Sequence, residues 1–196
     1  DYTGILTNIY KEPTHFIYEL LQNADDAKAT NVKFVLSRNK IEFFHDGSKE
    51  FSLSDIISIT GVGNSSKESR DTTTIGKFGV WYKAVFAISD QPLVYSTTYN
   101  FQIENLSVPS EISWRDLEGF TTIFQLDFKQ QGQVTLFRRN EALLRSMSPE
   151  TILFLKNICN VDIVSGNEQL PTISASRNEA DQSFSRIKFQ AAEKFI

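Results

Sequence analysis

The chain has 196 residues, enough for one generous domain or for one domain and part of a second, and its 40% hydrophobic content with sixteen Phe supports a large core. A formal charge of −4 leaves no electrostatic footprint for gripping nucleic acid or an anionic membrane. No apolar run is long enough to span a membrane, the N-terminus lacks a signal-peptide pattern, and the single Cys159 cannot form an internal disulfide, so a reducing, cytoplasmic setting is the default.

Pro13 and Thr14 open a predicted helix, with Thr14 as N-cap, that runs to about Lys28. Phe16, Ile17, Leu20, Leu21, Ala24 and Ala27 fall on one of its faces. Strands are predicted at Asn31 to Leu36 and Lys40 to Phe44, joined as a hairpin through Ser37, Arg38 and Asn39. Phe51 to Ile59 is apolar at helical spacing, with Ser52 or Ser54 as its cap. Gly61 to Thr74 is a polar loop, longer than a simple connection needs, and a glycine turn then leads into a helix ending near Ile88. Leu93 to Ser96, Asn100 to Glu104 and Thr121 to Phe128 read as strands. Ser148, Pro149 and Glu150 open a further helix over "TILFLKNI", and Val161 to Val164 and Ser185 to Phe189 are the last candidate strands.

This order predicts an α+β fold, a two-layer sandwich with helices on one face of a mostly antiparallel mixed sheet. The chain starts on Asp1 and stops at Ile196 without a closing signal, so it is expected to be one piece of a longer protein. A division is expected near residue 130, between a domain over 1–130 and 131–196 as the start of a following segment.

Three stretches carry polar groups that a fold alone does not need. In "YELLQNADDA", Glu19, Asn23 and Asp26 are spaced by four and three, within roughly 60° of one another on a helix. A Glu there can orient or deprotonate water, and an Asn oxygen suits a hard Mg²⁺ ion. A solvated helix edge gives the same pattern. The loop "GVGNSSKESRDTTT" offers amides, hydroxyls and Lys67 to an anion. Gly76 and Gly79 permit close backbone approach before a helix start, although a plain turn would look alike.

Taken in this order, "ELLQNADDA", "FFHDGSKEF", the Ser-rich loop, "GKFGVWYKAVF" and Thr121-Thr122 resemble the ATP-binding domain of the GHKL superfamily of gyrase, the large heat-shock chaperone, histidine kinases and mismatch-repair ATPases. The likeness runs from about Thr14 to Phe128. It is strongest to the sacsin-type branch and related bacterial multidomain ATPases, some of them found in defence systems. The resemblance implies ATP and Mg²⁺ as ligands, with Glu19 activating the attacking water, Asn23 ligating Mg²⁺, and Asp26 and Ala27 completing the motif. Histidine kinases usually lack that Glu, so Glu19 favours hydrolysis over phosphorylation of a partner.

The family's adenine-reading Asp is followed closely by Gly. An Asp-x-Gly alignment places His45 at that position, with Asp46 one residue late and Gly47 after it. Asp46 is preferred as the stronger acceptor for the amino group, and His45 is the alternative. The family's lid corresponds to Gly61 through Thr74, with Gly63, Asn64, Ser65, Ser66 and Lys67 near the phosphates. Its second glycine motif corresponds to Gly76, Lys77, Phe78, Gly79 and Val80, with Trp81 standing where a third glycine is usual. Thr121 matches the Thr that helps fix the base, and Thr122 takes that role if the strand register differs by one.

The resemblance therefore implies a slow Mg²⁺-dependent ATPase whose lid closure moves downstream domains of its own chain, in a chaperone-like or defence protein. Trp81 and the displaced Asp46 motivate the alternative, a nucleotide-sensing module without useful turnover. A third reading keeps the fold only for docking partners. Homodimers are frequent in the superfamily, and nothing in the sequence decides that question.

Overall fold

The computed structural model of the chain describes residues 15–60, 85–105, 108–152 and 155–175. β1 (Asn31–Leu36) and β2 (Lys40–His45) form the expected hairpin, closed by the Ser37 N–H donating to the Lys40 carbonyl at 2.8 Å. β6 (Thr122–Asp127) lies along the other side of β2, pairing Phe43 with Phe124 and His45 with Thr122. β3 (Leu93–Ser96), β4 (Asn100–Glu104) and β5 (Val108–Glu111) extend the sheet outward, all antiparallel. β7 (Asn160–Ser165) adds to the far side of β1 and is the one parallel pairing among the described residues; short β8 (Glu168–Gln169) and β9 (Ile173–Ser174) pair with it. The strand order is β5-β4-β3-β6-β2-β1-β7-β8, with β9 also on β7.

Directly opposed residues in such a ladder share a face. Val32, Phe34, Phe43, Phe124, Val161 and Ile163 thus stand on one side of the sheet, and His45 stands with them. The same apolar cluster takes in Phe16, Ile17, Leu20, Leu21 and Ala24 of α1 (Phe16–Asp26) and Leu136 and Leu144 of α3 (Gln133–Ser146). Each such side chain contributes roughly 1.5–3 kcal/mol on full burial. The architecture is therefore the two-layer α+β arrangement with a mainly antiparallel mixed sheet.

Phe44 and Ile123 are buried but lie outside that cluster, on the opposite face. There Arg115 donates to Glu42 Oε1 at 2.6 Å and lies over the rings of Tyr95 (5.2 Å) and Phe44 (5.9 Å).

α1 ends two residues sooner than expected. Lys28 takes a left-handed φ of 65°, and Lys28 and Ala29 donate their N–H groups to the Asp25 and Ala24 carbonyls, closing the helix in a Schellman arrangement. The preceding turn carries an acidic residue whose part the sequence did not reveal. Asp25 is buried, with Oδ1 accepting from the Asn157 and Ile158 N–H groups (2.6 and 3.1 Å) and Oδ2 from that of Lys156 (2.9 Å).

That arrangement corrects the helix expected over "TILFLKNI". Among the described residues of this stretch, Pro149–Ile152 forms a turn, of 3₁₀ type, and the amides of 156–158 are spent on Asp25 instead of on helical carbonyls. The predicted cap at Thr14, the helix after Gly79 up to residue 84 and the strand at Ser185 to Phe189 lie outside the described residues. α2 (Leu53–Thr60) starts on a reciprocal cap in which Asp55 Oδ2 accepts from the Ser52 N–H and Ser52 Oγ accepts from the Asp55 N–H, so Ser52 is the cap.

Asp25 ties α1 to the segment leading into β7, so Asp25→Ala leaves three backbone donors unmatched. The variant is expected to lose about 3 kcal/mol of stability, measured as a lower urea midpoint with unchanged slope. An unaltered midpoint would show the carboxylate to be dispensable.

Candidate functional site

A cleft open to solvent lies where α1, the end of β2 and the loop after it meet. Asn23 and Ala27 come from α1, His45 from β2, and Lys49, Glu50 and Phe51 from the loop; Asp55 comes from the first turn of α2 and Phe124 from β6. The wall is built of rings. Phe124 stacks on His45 (centroids 6.1 Å apart, planes at 29°), and Phe51 meets Phe124 and Phe101 edge-on at 6.1 Å. The Lys49 N–H donates to the Ala27 carbonyl at 3.1 Å, and the Glu50 carboxylate accepts from Thr97 and Thr98 hydroxyls, so the middle of the loop is tied to α1 on one side and to the β3–β4 turn on the other.

His45-Asp46-Gly47 turns the chain from the sheet into the cleft. His45 is 3% exposed, and its Nδ1 accepts from the Gly47 N–H at 3.1 Å. Burial lowers its pKa from 6.5 to about 4, with the Asp46 charge pulling the other way, so the ring is neutral near pH 7. Gly47 is demanded by space: a Cβ there would lie 2.8 Å from the Ala27 carbonyl oxygen, 2.9 Å from Ala27 Cβ and 2.9 Å from His45 Nδ1. Its carbonyl accepts from Thr121 Oγ1 at 2.7 Å, and the Thr121 N–H donates to the His45 carbonyl at 3.0 Å. Thr122 is buried opposite His45, on the same face of the sheet.

Asp46 points elsewhere. Its Oδ1 accepts from the Thr30 and Asn31 N–H groups (2.7 and 2.9 Å), and its Oδ2 from Thr30 Oγ1 and Asn31 Nδ2 (2.9 and 2.6 Å). Partial burial raises its pKa, but the bonds from Asn31 and Thr30 outweigh this and hold it below the usual carboxylate value. Asp46 is not among the cleft-lining residues, and His45 is.

The polar stripe of α1 is likewise divided. Asn23 lines the cleft, with its Nδ2 buried and without a hydrogen-bond partner among the described residues. Glu19, one turn earlier, is half-buried and stands outside the cleft wall, and Asp26 is exposed. Gly63 to Lys67 and Gly76 to Trp81 lie outside the described residues. Lys49, Glu50, Phe51, Asp55 and Phe124 were not foreseen as site residues. Only the apolar alternation of β6 hinted that Phe124 would face inward. Among the described residues no group of three or more His, Cys, Asp or Glu could hold a metal ion.

Residues 11–117, more than half of the chain, match the sequence profile described as "Histidine kinase-, DNA gyrase B-, and HSP90-like ATPase". Among curated proteins the chain is similar to Protein NO VEIN of Arabidopsis thaliana, 26% identical over 178 residues, which covers 76% of this chain and 6% of that protein. It is also similar to human (Homo sapiens) sacsin, 29% identical over 108 residues, covering 46% of this chain and 2% of sacsin. The chain thus spans only a small part of the length of the relatives it matches.

The buried neutral imidazole makes stability depend on pH. His45 binds its proton less readily folded than unfolded, so stability is full above about pH 6.5 and falls as the pH drops towards about 4. At ~1.4 kcal/mol per pKa unit the loss is ~3 kcal/mol. Below that window the depressed Asp46 carboxylate adds to the decline, because its contribution disappears as the pH falls through its folded value. Thermal melts between pH 4 and 7 should show this slope, and His45→Asn, which keeps an acceptor for the Gly47 N–H, should flatten it. Parallel curves for both proteins would contradict the assignment.

Proposed function

The chain belongs to the histidine kinase-, DNA gyrase B- and HSP90-like ATPase family, and on that premise we propose that it binds ATP with Mg²⁺ in the cleft between α1 and β2 and hydrolyses it slowly. Family membership itself supports ATP binding. The observation that carries the placement is convergence: Asn23 and Ala27 from one motif and His45 from the next, distant in sequence, line one cleft, with Gly47 packed against both Ala27 and His45.

In this reading the base sits against His45 and Phe124, with Thr121 and Thr122 holding the strand ends around it. Asp46 serves the fold by fixing Thr30 and Asn31. Asn23 is the residue that would hold Mg²⁺. Its side chain stands on the cleft wall, its amide oxygen Oδ1 would be the ligand, and Mg²⁺ takes few protein ligands, its remaining sites being filled by water and phosphate oxygens. When bound, the ion offsets phosphate charge. The Glu19 carboxylate makes no hydrogen bond or ion pair with a described residue and lies one helical turn before Asn23, which suits it to orient a water at the edge of the site. Gly61 to Thr74 closing over the nucleotide, and Gly76 to Trp81 facing its phosphates, complete the proposal.

Coupling of this cycle to attached domains of a larger chaperone-like or defence protein, self-association and a cytoplasmic setting belong to the same proposal. No helix among the described residues is long and apolar enough to cross a membrane. A second reading, nucleotide sensing without turnover, is favoured by two observations: Trp81 stands where a third glycine is usual, and Glu19 lies outside the cleft wall.

Glu19→Ala should leave Mg²⁺·ATP affinity within about twofold and lower phosphate release by roughly 10²-fold or more. Asn23→Ala should instead weaken Mg²⁺-dependent binding itself, by about tenfold or more. Equal turnover in Glu19→Ala and the parent chain would remove Glu19 from the chemistry. Binding without any phosphate release in the parent would establish the sensing module.

A further inference from the structure

His45 does more than fill the place of an acceptor. A neutral imidazole carries one N–H, and which nitrogen bears it is set by what the other nitrogen meets. Here the Gly47 N–H points at Nδ1 from 3.1 Å, so Nδ1 presents its lone pair and the proton resides on Nε2. The opposite tautomer would set two buried donors against each other. Gly47 cannot turn its N–H away, because its carbonyl is held by Thr121 Oγ1 and its Cα is packed against Ala27. The ring is 3% exposed and lines the cleft, and Nε2 makes no hydrogen bond with a described residue. Of the nearby carboxylates, Asp46 is turned to Thr30 and Asn31, while Glu50 and Asp55 on the cleft wall accept from the Thr97 and Thr98 hydroxyls and from Ser52. Asn23 Nδ2, on the same wall and without a partner among the described residues, is also a donor.

We propose that His45 reads a hydrogen-bond acceptor on the edge of the base through its Nε2–H, so that recognition has the opposite polarity to a carboxylate that accepts from the 6-amino group of adenine. This rests on the nucleotide reading above. A donor facing the amino group would leave two N–H groups opposed in a dry site. The groups that satisfy Nε2–H are the ring nitrogen N1 of adenine and the O6 of a 6-oxopurine. The amino group of ATP is then dispensable to the cleft, and inosine triphosphate is a ligand at least equal to ATP.

The test is a set of titrations on the chain with Mg²⁺ and four triphosphates: ATP, inosine triphosphate, purine riboside triphosphate (which lacks the 6-amino group) and 1-deaza-ATP (which keeps the amino group and lacks N1). Purine riboside triphosphate is expected to bind within about twofold of ATP, and inosine triphosphate as tightly as ATP or tighter. A loss of roughly tenfold with 1-deaza-ATP identifies N1 as the group read, and a preference of that size for inosine triphosphate identifies O6. His45→Asp should reverse the order and make the amino group necessary. Purine riboside triphosphate binding roughly tenfold more weakly than ATP would overturn the proposal.

The tautomer is read independently of any ligand from the ¹⁵N shifts of the two imidazoles of the chain, His15 and His45, assigned with His45→Asn. A proton found on Nδ1 of His45 overturns the proposal while leaving nucleotide binding intact. A proton on Nε2 with none of the four ligands bound overturns the nucleotide reading, and base recognition with it.

Discussion

The site depends on a residue that has no room for a side chain. Gly47 brings its backbone so close to Ala27 that a Cβ would sit 2.8 Å from that carbonyl oxygen, and from there its N–H fixes His45 and its carbonyl fixes Thr121. Three elements therefore meet at one peptide: the C-terminal end of α1, the end of β2 and the start of β6. The position and tautomer of the imidazole, the stacking of Phe124 upon it and the entry of the loop carrying Lys49, Glu50 and Phe51 all follow from this contact.

Two carboxylates support that junction from outside the cleft. Asp25 gathers the amides of 156–158 beneath the end of α1, and Asp46 gathers those of Thr30 and Asn31 at the start of β1. Both act as acceptors for backbone donors that no ladder or helix satisfies, a use for which an ionised side chain is well suited. The consequence for function is a division of labour among adjacent residues. Asp25 holds the fold while Asn23 lines the cleft, and Asp46 holds the fold while His45 lines the cleft.

The strands were legible because a half-buried strand records its environment every second residue. β1, β3 and β4 have the bounds that alternation and turn residues indicate, β2 runs one residue further than expected, and β6 is one residue shorter at each end. α1 was legible from its apolar face, though not its left-handed close at Lys28, where no glycine marks the stop. The helix read into "TILFLKNI" failed because local pattern carries no record of an acceptor 131 residues away in sequence. α3 went unseen because only Leu136, Asn140 and Leu144 of its fourteen residues are buried, too sparse an apolar stripe to stand out. In the candidate site, motif order pointed to Asn23, Ala27 and His45-Asp46-Gly47, but residue chemistry alone ranked Asp46 above His45. What turns Asp46 away from the cleft is the pair Thr30 and Asn31, whose proximity to Asp46 exists only once the hairpin has formed.

Backbone hydrogen exchange with and without Mg²⁺·ATP tests the location of the nucleotide most directly. The account predicts slower exchange at residues 23–27 and 45–51, around Asn23, His45 and the loop that lines the cleft, with the face covered by Arg115 unchanged. Protection confined to that opposite face, around Glu42 and Tyr95, or protection nowhere, would contradict it.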